Sequence, residues 1–309
     1  MERQDISFAS DGGRCAGWLY PPPPSDSSAA PCVVMAHGFG AQKEARLDAY
    51  AERFAAAGFA ALVFDYRHFG DSTGQPRQLV DIGRQHADWQ AAVAHARSLD
   101  GVDPDRIALW GSSFSGGHVV WVAARDPRVA AVVSQVPHTS GPATMRSTGA
   151  RRLAWMTAEG LRDQLGALFG RTHYVPIVGP AGSLATMTTD DADERYRAMY
   201  PPGWEFRNKV PARILLRFGS YSPLRDARKV GCPLLVIVAE SDTVTPPDPA
   251  RRMAERAPRG ELDTFTGGHF EAYFGDVFEW LVDREAEFLR HALTAAPSTQ
   301  TTQSLTSSS

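Results

Sequence analysis

The chain has 309 residues, 43% of them hydrophobic and 22% charged, with a formal net charge of -3. That is enough to bury one large α/β domain or two small ones. The slightly acidic balance leaves no basic footprint for nucleic acid, and no apolar run approaches the roughly 20 residues that cross a bilayer.

Residues 5–9 and 14–20 read as two strands around the hairpin turn Asp11-Gly12-Gly13. Residues 21–30 are rich in proline and serine and read as a surface loop. Residues 32–36 form a continuous apolar run, as in a strand buried on both faces, and lead into His37-Gly38-Phe39-Gly40. Helical spacing over 43–57 stops at Gly58. A second buried strand, 60–64, precedes Asp65-Tyr66-Arg67-His68-Phe69-Gly70-Asp71-Ser72, and 80–98 is an amphipathic helix.

The stretch 106–124 organises the rest. A short strand, 107–110, runs into Gly111-Ser112-Ser113-Phe114-Ser115 and then an apolar helix from about Ser115. A sharp strand-to-helix turn needs small residues around its apex, where the backbones approach closely, and it projects the apex side chain out of the sheet. Ser113 fits the apex best, because the strand ends at Trp110-Gly111; Ser115 is the other register. In the first register the Ser115 hydroxyl would satisfy a free backbone N–H of the first helical turn. A β-branched run follows at 129–136.

Strands alternating with helices imply a mostly parallel sheet covered on both faces, with reactive groups gathered at the carboxyl ends of the strands. The pattern breaks between 137 and 226, where helices are expected over 150–169, 190–199 and 205–218. A segment this long is not a structureless loop. It reads as a helical cap inserted into a core formed by 1–136 and 227–293; the alternative is an independent second domain. The sheet resumes at 233–239 and 261–265. Between them Asp248-Pro249 reads as a helix start, and 273–293 as the last helix. Residues 294–309, rich in serine, threonine and glutamine, are expected to be disordered.

A serine hydroxyl is a weak nucleophile until a base removes its proton and a third group orients that base. Of nine histidines, His269 has the right setting, a glycine-bearing loop after the last strand. His118 suits helix packing, His138 follows a strand and suits a pocket wall, and His291 suits solvent. Asp242 follows the 233–239 strand by three residues and is the acid candidate, with Glu240 as competitor. An oxyanion needs two backbone N–H donors, and Phe39 and Phe114 are placed to supply them.

These motifs, in the order His37-Gly38-Phe39-Gly40, Gly111-x-Ser113-x-Ser115, Asp242 and Gly268-His269, resemble those of the α/β-hydrolase-fold serine hydrolases over roughly residues 5–293. The stretch 65–72 is also similar to a motif of that family, where its part is structural. Ser115 departs from the commoner glycine. More narrowly, 110–118 together with Pro76-Arg77-Gln78 resembles a group of bacterial hydrolases similar to fungal polyketide transferases and to dipeptidyl-peptidase-like domains.

The resemblance implies an α/β-hydrolase fold and hydrolysis of a carboxylic ester or thioester through an acyl-serine, with Ser113, His269 and Asp242 as the triad. An acyltransferase with the same triad is the alternative. A peptidase and a catalytically dead binding protein stand behind it. The partner expected is a small ester or acyl molecule bound by cap residues Trp155, Phe169 and Tyr174 with His138, and a homodimer is possible. No metal or organic cofactor, nucleic acid or membrane is called for. Three separated cysteines form no Cys-x-x-Cys pair, and the amino terminus lacks a basic segment followed by an apolar run. Both point to the cytoplasm.

Overall fold

A computed structural model describes residues 3–21 and 29–294. Of the tail expected over 294–309, Thr294 belongs to the last helix and 295–309 lie outside the described residues, as does most of the proline-rich stretch, 22–28. The chain runs β1 (Gln4–Ser10), β2 (Gly13–Tyr20), β3 (Ala30–Ala36), α1 (Leu47–Ala56), β4 (Ala60–Phe64), α2 (Ile82–Arg97), β5 (Val102–Ser112), α3 (Phe114–Ala123) and β6 (Val129–Gln135). After β6 come α4 (Gly141–Ser147), α5 (Ala150–Ala167), β7 (Tyr174–Val175), α6 (Ala192–Ala198) and β8 (Val210–Pro211). The main sheet resumes with β9 (Leu234–Ala239), α7 (Pro247–Arg256), β10 (Gly260–Phe265) and α8 (Gly275–Thr294).

Eight strands form one sheet in the order β1-β2-β4-β3-β5-β6-β9-β10. The β1–β2 and β2–β4 pairs are antiparallel, and the remaining neighbours are parallel. This is the α/β-hydrolase fold. From Cys32 in β3 and Ile107 in β5, and throughout β4 and β9, the side chains are buried whichever way they point. Helix α1 packs against α8, and α2 against α3. No helix among the described residues is long and apolar enough to cross a membrane.

Three local departures from the sequence reading have physical causes. Helix α1 starts at Leu47 rather than residue 43, because Lys43 is tied down by its backbone N–H donating to Asp65 Oδ1 (2.8 Å) and Arg46 turns left-handed at φ 64°. The helix after β9 begins with Pro247 at its first position and takes Asp248 into its first turn, two residues earlier than expected. The helix expected over 205–218 is absent. Val210 and Pro211 form β8, and short 3-10 turns at Ala212–Leu216 and Phe218–Ser220 follow. Proline removes the N–H that a continuous helix would need there.

Candidate active site

Between β5 and α3 a single residue, Ser113, makes the turn. Its backbone sits at φ 59°, ψ -120°, a region that costs a non-glycine residue on the order of 1–3 kcal/mol. The surroundings impose it. Ser113 N–H donates to Gln135 O at the end of β6 (2.9 Å), and Ser113 O accepts from His138 N–H (2.8 Å). Glycine is required at 111, where a Cβ would lie 2.5 Å from Ser115 O. The two registers separate cleanly. Ser115 is fully buried and its hydroxyl pairs with Tyr66 Oη (2.9 Å), rather than with a backbone N–H as expected. Ser113 lines a cavity.

The loop after β10 brings His269 Nε2 to 3.0 Å from Ser113 Oγ. Its Nδ1 lies 2.7 Å from Asp242 Oδ2, on the loop after β9. Asp242 is itself fixed: Oδ1 accepts from the N–H groups of Val244 (2.8 Å) and Thr245 (2.7 Å), and Oδ2 accepts from Thr245 Oγ1 (2.8 Å). All three triad candidates are therefore on one continuous hydrogen-bonded line, and each is buried. Glu240, the competing acid, instead accepts from Thr266 Oγ1 (3.3 Å) away from the imidazole. Thr245 was not singled out from sequence; the Thr-Val-Thr-Pro turn after Asp242 was its only trace.

The loop after β3 passes close beside the serine. A Cβ on Gly38 would come within 3.1 Å of Ser113 Cβ, so any larger residue would press the serine by a few tenths of an ångström. The next residue, Phe39, has its carbonyl held by the Tyr196 hydroxyl of α6 (2.8 Å). Phe114 is the first residue of α3, so its N–H has no intrahelical acceptor. Behind this loop Lys43 Nζ donates to Asp65 (2.9 Å), Asp71 (2.8 Å) and Glu44 (2.8 Å). Burial opposes the ammonium charge, but the Asp65, Asp71 and Glu44 carboxylates outweigh it and raise the Lys43 pKa. The three carboxylates lie close enough to hold a metal ion. Lys43 Nζ already sits among them as the cation.

Two cavities meet at Ser113 and Phe39. The larger, about 250 Å³, runs under α4 and α5 and is walled by Met145, Met156, Phe218 and His138. The smaller, about 20 Å³, lies beside His269 and is closed by Tyr196, Met199 and Tyr273. Among the described residues neither is lined by aspartate or glutamate. The His138 ring stacks on Tyr221 (5.8 Å between centroids, 9° between planes), and burial lowers its pKa to about 4, so it is neutral near pH 7.

The other expected wall residues lie elsewhere. Phe169 is 79% exposed just beyond α5. Trp155 packs half-buried against the core, and the Tyr174 hydroxyl donates to Arg77 O (3.2 Å). In their place α5 contributes Arg152, which sequence reasoning missed because an arginine on an amphipathic helix reads as solvated. Its guanidinium donates to Thr188 Oγ1 (2.6 Å), Ala185 O (2.9 Å) and Thr186 O.

A family model described as serine aminopeptidase, S33, matches residues 27–272. The chain belongs to that family of α/β-hydrolases. It is 42% identical over 287 residues to the quorum-quenching protein AidA of Acinetobacter baumannii (strain MDR-ZJ06), covering 93% of this chain and 94% of the relative. A thiohydrolase of Eupenicillium brefeldianum is 26% identical over 298 residues, covering 93% and 94%. The crystal structure of the α/β-hydrolase GrgF from Penicillium sp. sh18 superposes with a TM-score of 0.82 at 28% identity, covering 95% of this chain and 99% of that one. The Penicillium grgF protein is described as a polyketide transferase.

Proposed function

We propose that the protein hydrolyses a carboxylic ester or thioester through an acyl-serine intermediate. The observation that carries this reading is the unbroken line from Ser113 Oγ to His269 (3.0 Å) to Asp242 (2.7 Å) at the mouth of two cavities. Ser113 Oγ attacks the carbonyl carbon while His269 Nε2 takes its proton. The oxyanion forms against the N–H groups of Phe39 and Phe114. His269 then passes the proton to the departing alcohol or thiol, leaving Ser113 acylated. Water gives its proton to the same nitrogen as it attacks the acyl group, and the acid and free serine are released. Asp242 holds the imidazole with Nδ1–H inward and stabilises the imidazolium. The segment between β6 and β9 acts as the cap that walls the larger cavity.

Acyl transfer to an alcohol is the second reading, favoured by the relationship to GrgF. The smaller cavity argues against a bulky acceptor. The group that attacks the acyl-serine must approach beside His269, where about 20 Å³ is room for about one water. An aminopeptidase would need a carboxylate near the substrate amine, and none lines either cavity among the described residues.

The test is labelling with a fluorophosphonate, followed by mapping of the modified peptide and a screen of methyl esters, methyl thioesters and lactones. Wild type and Ser115→Ala are expected to label, and Ser113→Ala is not. Labelling that survives Ser113→Ala would sink the assignment, as would no labelling of the folded wild type.

A further inference from the structure

The two cavities at Ser113 are unequal in chemistry as well as in size, and the difference bears on what the acyl group carries. In the reading above His269 must hand its proton to the leaving group. The leaving group therefore belongs in the smaller cavity, which His269 lines, and the acyl group in the larger one, which it does not. The larger cavity is walled by phenylalanine, methionine and threonine side chains, and its one formally charged lining residue is Arg152.

Among the described residues no carboxylate lies within 4.0 Å of the Arg152 guanidinium, whereas the buried Arg67 and the half-buried Arg97 and Arg213 are each paired with an aspartate; Arg77, half-buried and held by carbonyl oxygens, is unpaired as well but lines neither cavity. Arg67 bonds Asp88, Arg97 bonds Asp126 and Arg213 bonds Asp163. Arg152 donates to three neutral oxygens only. A guanidinium has five N–H donors, so two remain. A purely apolar acyl chain filling this cavity would strip water from a half-buried cation and return nothing. A carboxylate on the chain would supply the missing charge and accept one of the two remaining hydrogens, which sit on Nε and Nη1.

We propose that the protein acts on esters or thioesters whose acyl half ends in a carboxylate, and that Arg152 is the residue that selects it. The inference rests on the proposed acyl-serine reading for its orientation. Arg152 does not touch the reacting atoms; it determines specificity by binding the far end of the chain.

The test compares monomethyl adipate with methyl hexanoate, acyl chains of equal length with and without the terminal carboxylate. For wild type, kcat/KM is expected to be at least tenfold higher for monomethyl adipate, a ratio that one charge-assisted pair supports. Arg152→Gln should bring the ratio to about one, chiefly by raising KM for the charged ester, and Arg152→Lys should restore part of it. A wild-type preference for methyl hexanoate would overturn the proposal. So would an Arg152→Gln variant that slows both esters alike, which is the signature of a residue that only ties α5 to residues 185–188. Binding of monomethyl adipate to Ser113→Ala, followed by calorimetry, separates this idea from the catalytic one. Binding that is lost on adding Arg152→Gln, in a protein whose wild type turns over neither ester, would keep the anion site and sink the acyl-serine reading. No binding at millimolar ester would sink the anion site whatever the turnover.

Discussion

Ser113 Oγ and Tyr221 Oη each lie within hydrogen-bond reach of a histidine, at 3.0 Å from His269 and 2.6 Å from His118. The two pairs share a chemistry of hydroxyl and imidazole but differ in what stands on either side. His269 is backed by the Asp242 carboxylate, and Ser113 faces two cavities. His118 is backed by the neutral Gln85 Oε1 (3.0 Å), and its Nδ1 also lies 3.1 Å from His86 Nε2, with Trp121 stacked on His86 at 3.7 Å. Burial holds His118 well below the usual histidine range, with the neighbouring His86 and His138 adding to the effect. Only the first pair has a carboxylate behind the imidazole and a cavity before the hydroxyl, while burial disfavours a charge on the second imidazole. A hydroxyl beside a histidine is not by itself a nucleophile; a carboxylate behind and a substrate path in front make the difference.

The comparison can be broken most severely at the serine. Ser113→Ala is expected to lower kcat by roughly 10⁴-fold or more, read by product release from whichever ester wild type cleaves. Asp242→Asn makes the reactive pair resemble the sealed one, with an amide behind the imidazole. Steady-state kinetics should show a loss of about 10³–10⁴-fold in kcat with the fold intact by circular dichroism.

Acid sharpens the contrast from the other side. Burial lowers the pKa of His86 to about 3, with Arg125 adding to the effect, and that of His138 to about 4. The unfolded chain binds these protons near pH 6.5 and the folded chain does not. Stability is therefore full above that pH and declines as pH falls toward the folded values, by about 2 kcal/mol per such histidine at pH 5. Urea midpoints taken from pH 7.5 to 5 should fall for wild type, and less steeply for His86→Gln. The smallest effect belongs to Tyr221→Phe. It should cost about 1–2 kcal/mol in urea unfolding by leaving His118 Nδ1 without its closest partner, while kcat changes by less than about twofold.

Most of the frame was legible because the central strands are continuous apolar runs, and their order places Ser113, Asp242 and His269 on one edge. The strand from Cys32 to Ala36 and the turn at Gly111-Ser113-Ser115 carry local steric demands that a sequence displays directly. The inserted segment was less readable. Its 150–167 helix follows the periodicity, but the stretch from Glu205 to Ser220 is governed by Pro211 and by contacts with the core. The cavity wall was least readable, since bulk and aromaticity identify Trp155 and Phe169 as apolar without saying which way they face. Arg152 and Tyr196 owe their placement to distant partners, the carbonyls of Ala185 and Thr186 and that of Phe39. Nothing local in the sequence encodes those distances.

The bond from Tyr196 to the Phe39 carbonyl also constrains how such a protein can acquire new substrates. An enzyme whose variable segment merely covers its site can exchange that segment wholesale with a relative. Here the segment between β6 and β9 braces the loop that runs against Ser113, so a graft lacking an equivalent hydroxyl would unsettle the chemistry while altering the specificity. Single substitutions on α4 and α5, which wall the larger cavity, leave that hydroxyl in place.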